Sequence, residues 1–281
     1  MKQSIAILIL FYNKLDQTSD CINSFLPSGH KIYVLNNGSD ESQWSNLKST
    51  YNNHSSVVLL DAGKNLGVSG GRNYLINATK ETWLLSVDND IVIKPQQNWN
   101  ELFEQFLVQH PEVKIICPHI FNVHEEAYSK QLQVVLTNNE VSIETGDYIV
   151  TNCFPGGASI IQRSIFETYG LFDEEMFVGF EDYEFAIRAI LSEHGELKAY
   201  HSNEIELIHD HQFQKSSSDK EAVRQRYNED KLKASYDRLV SKFNIVFEHD
   251  WQWWTRKQVA DMTKSKWFST VKERINKVLN R

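Results

Sequence analysis

LLSVDNDIVIKP, residues 84–95, drives an apolar strand into Asp88-Asn89-Asp90 and leaves at once through a second apolar run. Two carboxylates at the end of a buried strand are costly unless something positive meets them. Set two residues apart before a tight turn, they can share a divalent cation. Hard oxygen ligands suit Mg2+ or Mn2+, which also bridge diphosphates. Taken alone, the triplet also reads as a turn whose Asp side chains cap backbone amides. The rest of the chain has to decide between the two.

Outward from this stretch, strand-like runs recur at 5–11 (IAILILF), 31–36 (KIYVLN), 56–61 (SVVLLD), 83–87 (WLLSV) and 113–117 (VKIIC). Helical spacing fills the intervals near 16–26, 41–50 and 68–80. Unbroken apolar strands alternating with helices predict an α/β fold, a mostly parallel sheet covered on both faces. Ligands of such sheets bind beyond the carboxyl ends of the strands. Four polar stretches fall there: Tyr12-Asn13, Asn36 to Asp40, Asp61 to Asn73, and Asp88 to Asp90. From 120 to 150 short alternating segments predict a small antiparallel excursion. A helix follows Asp182 and closes at Gly195, a strand spans 205–211, and one long charged helix is expected over 219–243.

Composition narrows the function. The chain has 281 residues, 41% hydrophobic and 23% charged, which is globular. A net charge of -8 argues against nucleic acid as a partner. Cys21, Cys117 and Cys153 are odd in number and widely spaced, which predicts reduced thiols in a cytoplasmic protein. MKQSIAILILFYNK has no small-residue cleavage site and reads as a first strand, and no apolar run approaches the roughly 20 residues of a membrane span.

Three further constellations carry chemistry. Lys64 to Asn73 is glycine-rich and ends on Arg72, whose fork suits phosphate; the same glycines also suit tight helix packing. It is no Walker A loop, and no GxGxxG follows the first strand. Phe180-Glu181-Asp182-Tyr183-Glu184-Phe185 sets three acids at a helix start, where the dipole favours them, but hems them in with aromatics. An apolar wall is what keeps a carboxylate basic enough to take a proton. His209 and His211 share one face of a strand, where a His is either packed or able to complete a metal site.

In order and spacing these stretches resemble family 2 glycosyltransferases of the glycosyltransferase-A fold. The matching series is FYNK, LNNGSD, NLGVSGGRN, VDND, FPGGASIIQRSIFETYGLFDEEMF, GFEDYEFAIR and the His of IELIHDH, over residues 4–212. The resemblance implies a metal-dependent, inverting transferase that takes a sugar from a nucleotide-diphosphate sugar. It implies Asp182 as catalytic base with Glu181 its acceptor-side neighbour, and Asp88, Asp90 and His209 as ligands of Mn2+ or Mg2+. Tyr12, Asn13 and the turn Asn36, Asn37 to Asp40 would hold the nucleoside; Asn65, Gly67, Gly71, Arg72, Asp88 and Asn89 would line the donor site. Gly156 and Gly157 would floor the sugar pocket. Relatives often carry Asp where this chain has Asn36 or Asn37. An amide pairs with a uracil or thymine edge, so a UDP or dTDP donor is favoured. The expected division is a catalytic domain over 1–215, with a nucleotide-sugar half to about 117 and an acceptor half from 118, and a helical extension over 216–281.

The acceptor implied is a glycan or lipid-linked glycan, in bacterial surface polysaccharide synthesis. Residues 251–281 hold four Trp and many basic residues, with helical spacing from Phe268 to Leu279. Such a helix suits either a membrane surface, on the inner face of the cell membrane, or packing and homodimer contact. Two competing functions are weaker. A nucleotidyltransferase would show a Gly-rich basic signature after the first strand, which FYNKLD lacks, and a silent binding module would lack an acid that VDND and FEDYEF both keep.

Overall fold

The computed structural model describes residues 3–210 and 217–253. The alternation read from the sequence is present as β1 (Ile5–Phe11), α1 (Leu15–Phe25), β2 (Lys31–Asn36), α2 (Glu41–Tyr51), β3 (Val57–Asp61), α3 (Gly67–Asn77) and β4 (Trp83–Asp88). There follow β5 (Ile91–Ile93), α4 (Trp99–Gln109), β6 (Ile115–Asn122), β7 (Ala127–Tyr128), β8 (Gln131–Thr137), β9 (Glu140–Gly146) and β10 (Val150–Thr151). The chain continues with β11 (Ala158–Gln162), α5 (Ser164–Tyr169), α6 (Glu181–Ile190), β12 (Ala199–His209), α7 (Ser217–Arg226), α8 (Glu229–Phe243) and β13 (Val246–Phe247).

The main sheet runs β10-β12-β6-β11-β4-β1-β2-β3, with β5 beside β12 and β7 beside β6. β3, β2, β1 and β4 are parallel, β11 is antiparallel between β4 and β6, and β12 is parallel to β6. Register brings the chemistry to one edge. Leu10 lies opposite Asp88, Phe11 opposite Asn36, and Asn36 opposite Asp61.

Strand alternation distributes β1 between two cores. Ile5, Ile7, Ile9 and Phe11 pack with Phe25, Trp44, Leu47, Trp99 and Phe103 from α1, α2 and α4. Ala6 and Leu8 pack with Leu75, Ile76, Phe166 and Phe185 from α3, α5 and α6. Each large side chain so buried contributes about 1.5–3 kcal/mol, which is why every residue of β1 is apolar. The three cysteines are free and buried.

The antiparallel excursion is the hairpin β8–β9, which β13 joins in parallel to make a second, three-stranded sheet. Val134 and Val141 of the hairpin pack with Ile187 of α6 and Leu239 of α8. The single helix expected over 219–243 is instead two. Asn228 ends the run and caps α8, its side chain accepting from the Lys231 N–H at 3.0 Å. α8 is bound to α6 and the loop before it by charge: Lys242 reaches Asp173 at 2.6 Å and Glu184 at 2.9 Å, and Arg238 reaches Asp173 at 3.2 Å. No helix among the described residues is long and apolar enough to cross a membrane. The amphipathic segment from Phe268 to Leu279 lies outside the described residues.

Candidate active site

A cavity of about 350 Å³ opens at the carboxyl edge of the parallel strands. Its wall carries Tyr12, Lys14, Asn37, Asn65, Gly67, Arg72, Asp88, Asn89, Asp90, Glu181 and Asp182, stretches up to 170 positions apart in the chain. Four carboxylates and two cations thus share one wall.

Arg72, in the second turn of α3, is buried at the centre of this cluster. Its Nη2 donates to Asp88 Oδ1 at 3.2 Å and its Nη1 to Glu181 Oε1 at 3.0 Å; Asp182 Oδ1 lies 3.8 Å away. Burial alone would lower the Arg72 pKa, but Asp88, Glu181 and Asp182 raise it on balance. Arg72 is therefore a counter-ion holding three carboxylates in place, where the sequence suggested a fork for phosphate.

Asp182 is the second residue of α6, which follows two residues of positive φ, Gly179 (77°) and Phe180 (67°). A Phe in this region costs about 1–2 kcal/mol, and the turn it makes presents Glu181 and Asp182 in different directions. Glu181 points inward to Arg72 and is buried, whereas Asp182 is part-exposed and accepts the Gly156 N–H at 3.0 Å. Burial, then the neighbouring Glu181 charge, push the Asp182 carboxyl up to about 7, against the pull of Arg72 and the Gly156 N–H. Gly156 and Gly157 lie against the cluster. A Cβ on Gly156 would sit 2.4 Å from Arg72 Nη1, and one on Gly157 would sit 2.3 Å from Asp88 Cγ.

Asp90 is buried beside His209 and Lys14. Asn13 and Lys14 both adopt left-handed backbone (φ 57° and 58°), which turns the chain after β1 so that Lys14 Nζ meets Asp90 Oδ2 at 3.3 Å. His209 Nε2 lies 3.4 Å from Asp90 Oδ1. Asn122 donates to Ser129 Oγ at 2.8 Å, which leaves its Oδ1 to accept from His209 Nδ1 at 3.0 Å. With Nδ1 turned to Asn122, Nε2 is the ring nitrogen that faces the carboxylate oxygen, an arrangement that a bridging cation would stabilise. Asp90 and His209 so oriented fit Mn2+ or Mg2+ in donor chemistry. The expected third ligand, Asp88, is turned to Arg72. Among the described residues no three His, Cys, Asp or Glu side chains converge as a ready-made cage.

The residues expected at the nucleoside divide in two. Tyr12, whose hydroxyl is paired with the Asn65 side chain, lines the cavity with Asn37. Asn13, Asn36 and Asp40 stand behind the wall as scaffold. Asn36 bridges Ser39 N at 2.9 Å and Asp61 Oδ1 at 3.0 Å, and Asn13 Oδ1 accepts the Asp40 N–H at 2.9 Å. Asn37 itself is committed to Leu66 N at 2.9 Å and Gly67 O at 3.0 Å, so base pairing by these amides has little left to use. The Asn89 side chain faces Thr18 Oγ1 at 2.9 Å. Gly71 is a packing glycine: a Cβ there would meet Leu10 Cδ1 at 2.4 Å.

Of the opposite wall, the motifs held only the aromatics Phe177, Phe180 and Tyr183. Leu132 of β8, Phe177 to Phe180, Tyr183, and Ala222, Gln225, Arg226, Tyr227 and Leu232 of the C-terminal helices complete the cavity. For the C-terminal residues the sequence signal was RQRYN at 224–228, where a helix breaks on a capping Asn.

Residues 6–170 match the family model described as Glycosyl transferase family 2. The chain is 25% identical over 205 residues to the low-salt glycan biosynthesis hexosyltransferase Agl10 of Haloferax volcanii, covering 67% of this chain and 62% of the relative. Among solved structures it is similar to the mannosyltransferase PcManGT of Pyrobaculum calidifontis in complex with GDP-Man and Mn2+. That similarity has a TM-score of 0.56 and 13% identity, over 86% of this chain and 65% of the other. It is also similar to S. aureus TarS 1-349 in complex with UDP-GlcNAc, with a TM-score of 0.56 and 14% identity, over 86% of this chain and 73% of the other. At these identities the structural likenesses show the fold, a glycosyltransferase-A arrangement.

Proposed function

The chain belongs to glycosyl transferase family 2, whose model covers more than half of its 281 residues, and on that premise we propose that it transfers a sugar, with inversion, from a nucleoside-diphosphate sugar to an acceptor hydroxyl. One observation carries the reading: Asp182, a carboxyl pushed up to about 7, opens on the same cavity as the strand-end pair Asp88 and Asp90.

Asp90 and His209 would hold the divalent cation, with Asp88 on the same wall. When bound, that cation supplies positive charge for the departing diphosphate. Asp182 takes the proton of the acceptor hydroxyl as the new glycosidic bond forms. Its Oδ1 is fixed by the Gly156 N–H, which leaves Oδ2 for the acceptor. General-base help of this kind is worth about 10²–10⁴-fold. Glu181, buried and tied to Arg72, keeps Asp182 basic and does not itself face the acceptor. A single displacement with one base needs no covalent intermediate. Leu132, Phe177, Phe180 and Tyr183 give the acceptor an apolar wall, which suits the faces of a glycan or lipid-linked glycan.

The test is a screen of UDP-, dTDP- and GDP-sugars with Mn2+, followed by Asp182→Asn on the best donor. Transfer should fall by at least about 10²-fold while nucleoside-diphosphate affinity stays. Turnover close to wild type in that variant would remove Asp182 as the base.

A further inference from the structure

With Arg72 committed to three carboxylates and Lys14 bonded to Asp90, one further cation stands on the cavity wall, Arg226. It ends α7, outside the residues that match the family model. Its position is set by the break before α8, where Asn228 caps the next helix. Arg226 is exposed, and among the described residues it makes no ion pair. Partial loss of solvent against the cavity wall disfavours its charge, yet Tyr227, Asp90, Asp88 and Glu181 together favour it and raise its pKa on balance, so it lies in electrostatic reach of the strand-end acids.

A diphosphate entering here meets four carboxylates. Two of the three wall cations are already engaged by those carboxylates. A planar guanidinium with no ion-pair partner is the group best fitted to take phosphate oxygens, because its fork matches them in pairs. We propose that Arg226 is a diphosphate-binding residue, donating to the phosphate oxygens of the donor and of the nucleoside diphosphate that leaves. This rests on the donor reading above, and it adds a cation from α7 to a site whose other cations and carboxylates come from residues 14–182. It also gives α7 a reason to lie on the cavity: sequence beyond the family match would supply the positive face that Arg72 does not.

The experiment is calorimetric titration of the full chain with UDP, GDP and dTDP, each with Mn2+, and with uridine, guanosine and thymidine. Arg226→Gln should weaken the tightest diphosphate by about ten- to a hundredfold, the scale of a lost hydrogen bond to a charged group. It should leave the matching nucleoside unchanged and flatten the dependence of binding on salt. Arg226→Lys, which keeps the charge and loses the fork, should fall between. Arg224→Gln is the control: Arg224 is exposed and pairs with Glu221 at 3.7 Å, so its removal should change nothing. Diphosphate binding by Arg226→Gln within twofold of wild type would overturn the proposal, as would an equal loss of nucleoside affinity, which would mark Arg226 as wall support only. If wild type binds none of the diphosphates, the donor reading itself fails, and a separate result identifies that case.

Discussion

Gly157→Ala tests the carboxylate cluster with the smallest possible change. The added methyl would sit 2.3 Å from Asp88 Cγ and 2.4 and 2.5 Å from its two oxygens, where ordinary contact begins at 3.4 Å. The backbone there cannot yield easily, because the Gly157 carbonyl accepts the Asp88 N–H at 2.8 Å and β11 is locked to β4 from Ala158 onward. The Asp88 side chain is the part free to move, and it must retreat by about 1 Å. That retreat breaks its 3.2 Å bond to Arg72 and displaces the carboxylate from the donor wall. A misplacement of about 1 Å costs on the order of 10²-fold in rate, and overpacking costs about 1–3 kcal/mol of stability. Steady-state transfer on the best donor, beside a thermal melt, reads both. Turnover within threefold of wild type, with the melt unchanged, would show that neither Asp88 nor the glycine floor is placed as described.

The remaining expectations concern charge and support. A base whose carboxyl is raised to about 7 makes kcat/KM rise with pH and level off above that value. Since the Glu181 charge contributes to the raising, Glu181→Gln should move that limb to lower pH, and a pH–rate profile that shifts upward or stays put would contradict it. EDTA should lower nucleoside-diphosphate affinity as well as activity, with Mn2+ restoring both; titration with and without chelator decides this, and equal affinity in the two would remove the metal from the site. Ser235→Ala removes a buried bond to the Val178 carbonyl at 3.0 Å, which should cost about 1 kcal/mol in melting and lower kcat more than donor KM. An equal change in both constants would confine Ser235 to general stability.

The parallel half of the fold was legible because its signal is local. Runs such as IAILILF can only be buried on both faces, and the helices between them differ from the expected bounds by at most three residues. The strand-end position of the polar loops followed from the same pattern, and so did the meeting of Asp88, Asp90 and Arg72 on one cavity, whereas only the family resemblance joined Asp182 to them. Side-chain commitments were not legible. Nothing in NLGVSGGRN distinguishes an Arg that faces phosphate from one drawn in by Asp88 and Glu181, because the deciding partner is 109 positions away. The roles of Asn13, Asn36 and Asp40 as scaffold depend likewise on register between β1, β2 and β3. Asn228 was readable as a cap in principle, but continuous charge on either side hid the break between α7 and α8.

The strained turn at Gly179 and Phe180 explains why residues far beyond the family match belong to the site. Left-handed backbone at a Phe persists only where the surroundings over-determine it. Here α8 does so from outside the fold's common part: Ser235 Oγ holds the Val178 carbonyl, Tyr236 packs edge-on to Phe180 at 5.6 Å, and Leu232 lies against Gly179. Lys242 and Arg238 then clamp α8 to Asp173 and Glu184 on either side of the turn. Asp182 therefore owes its direction to the C-terminal segment.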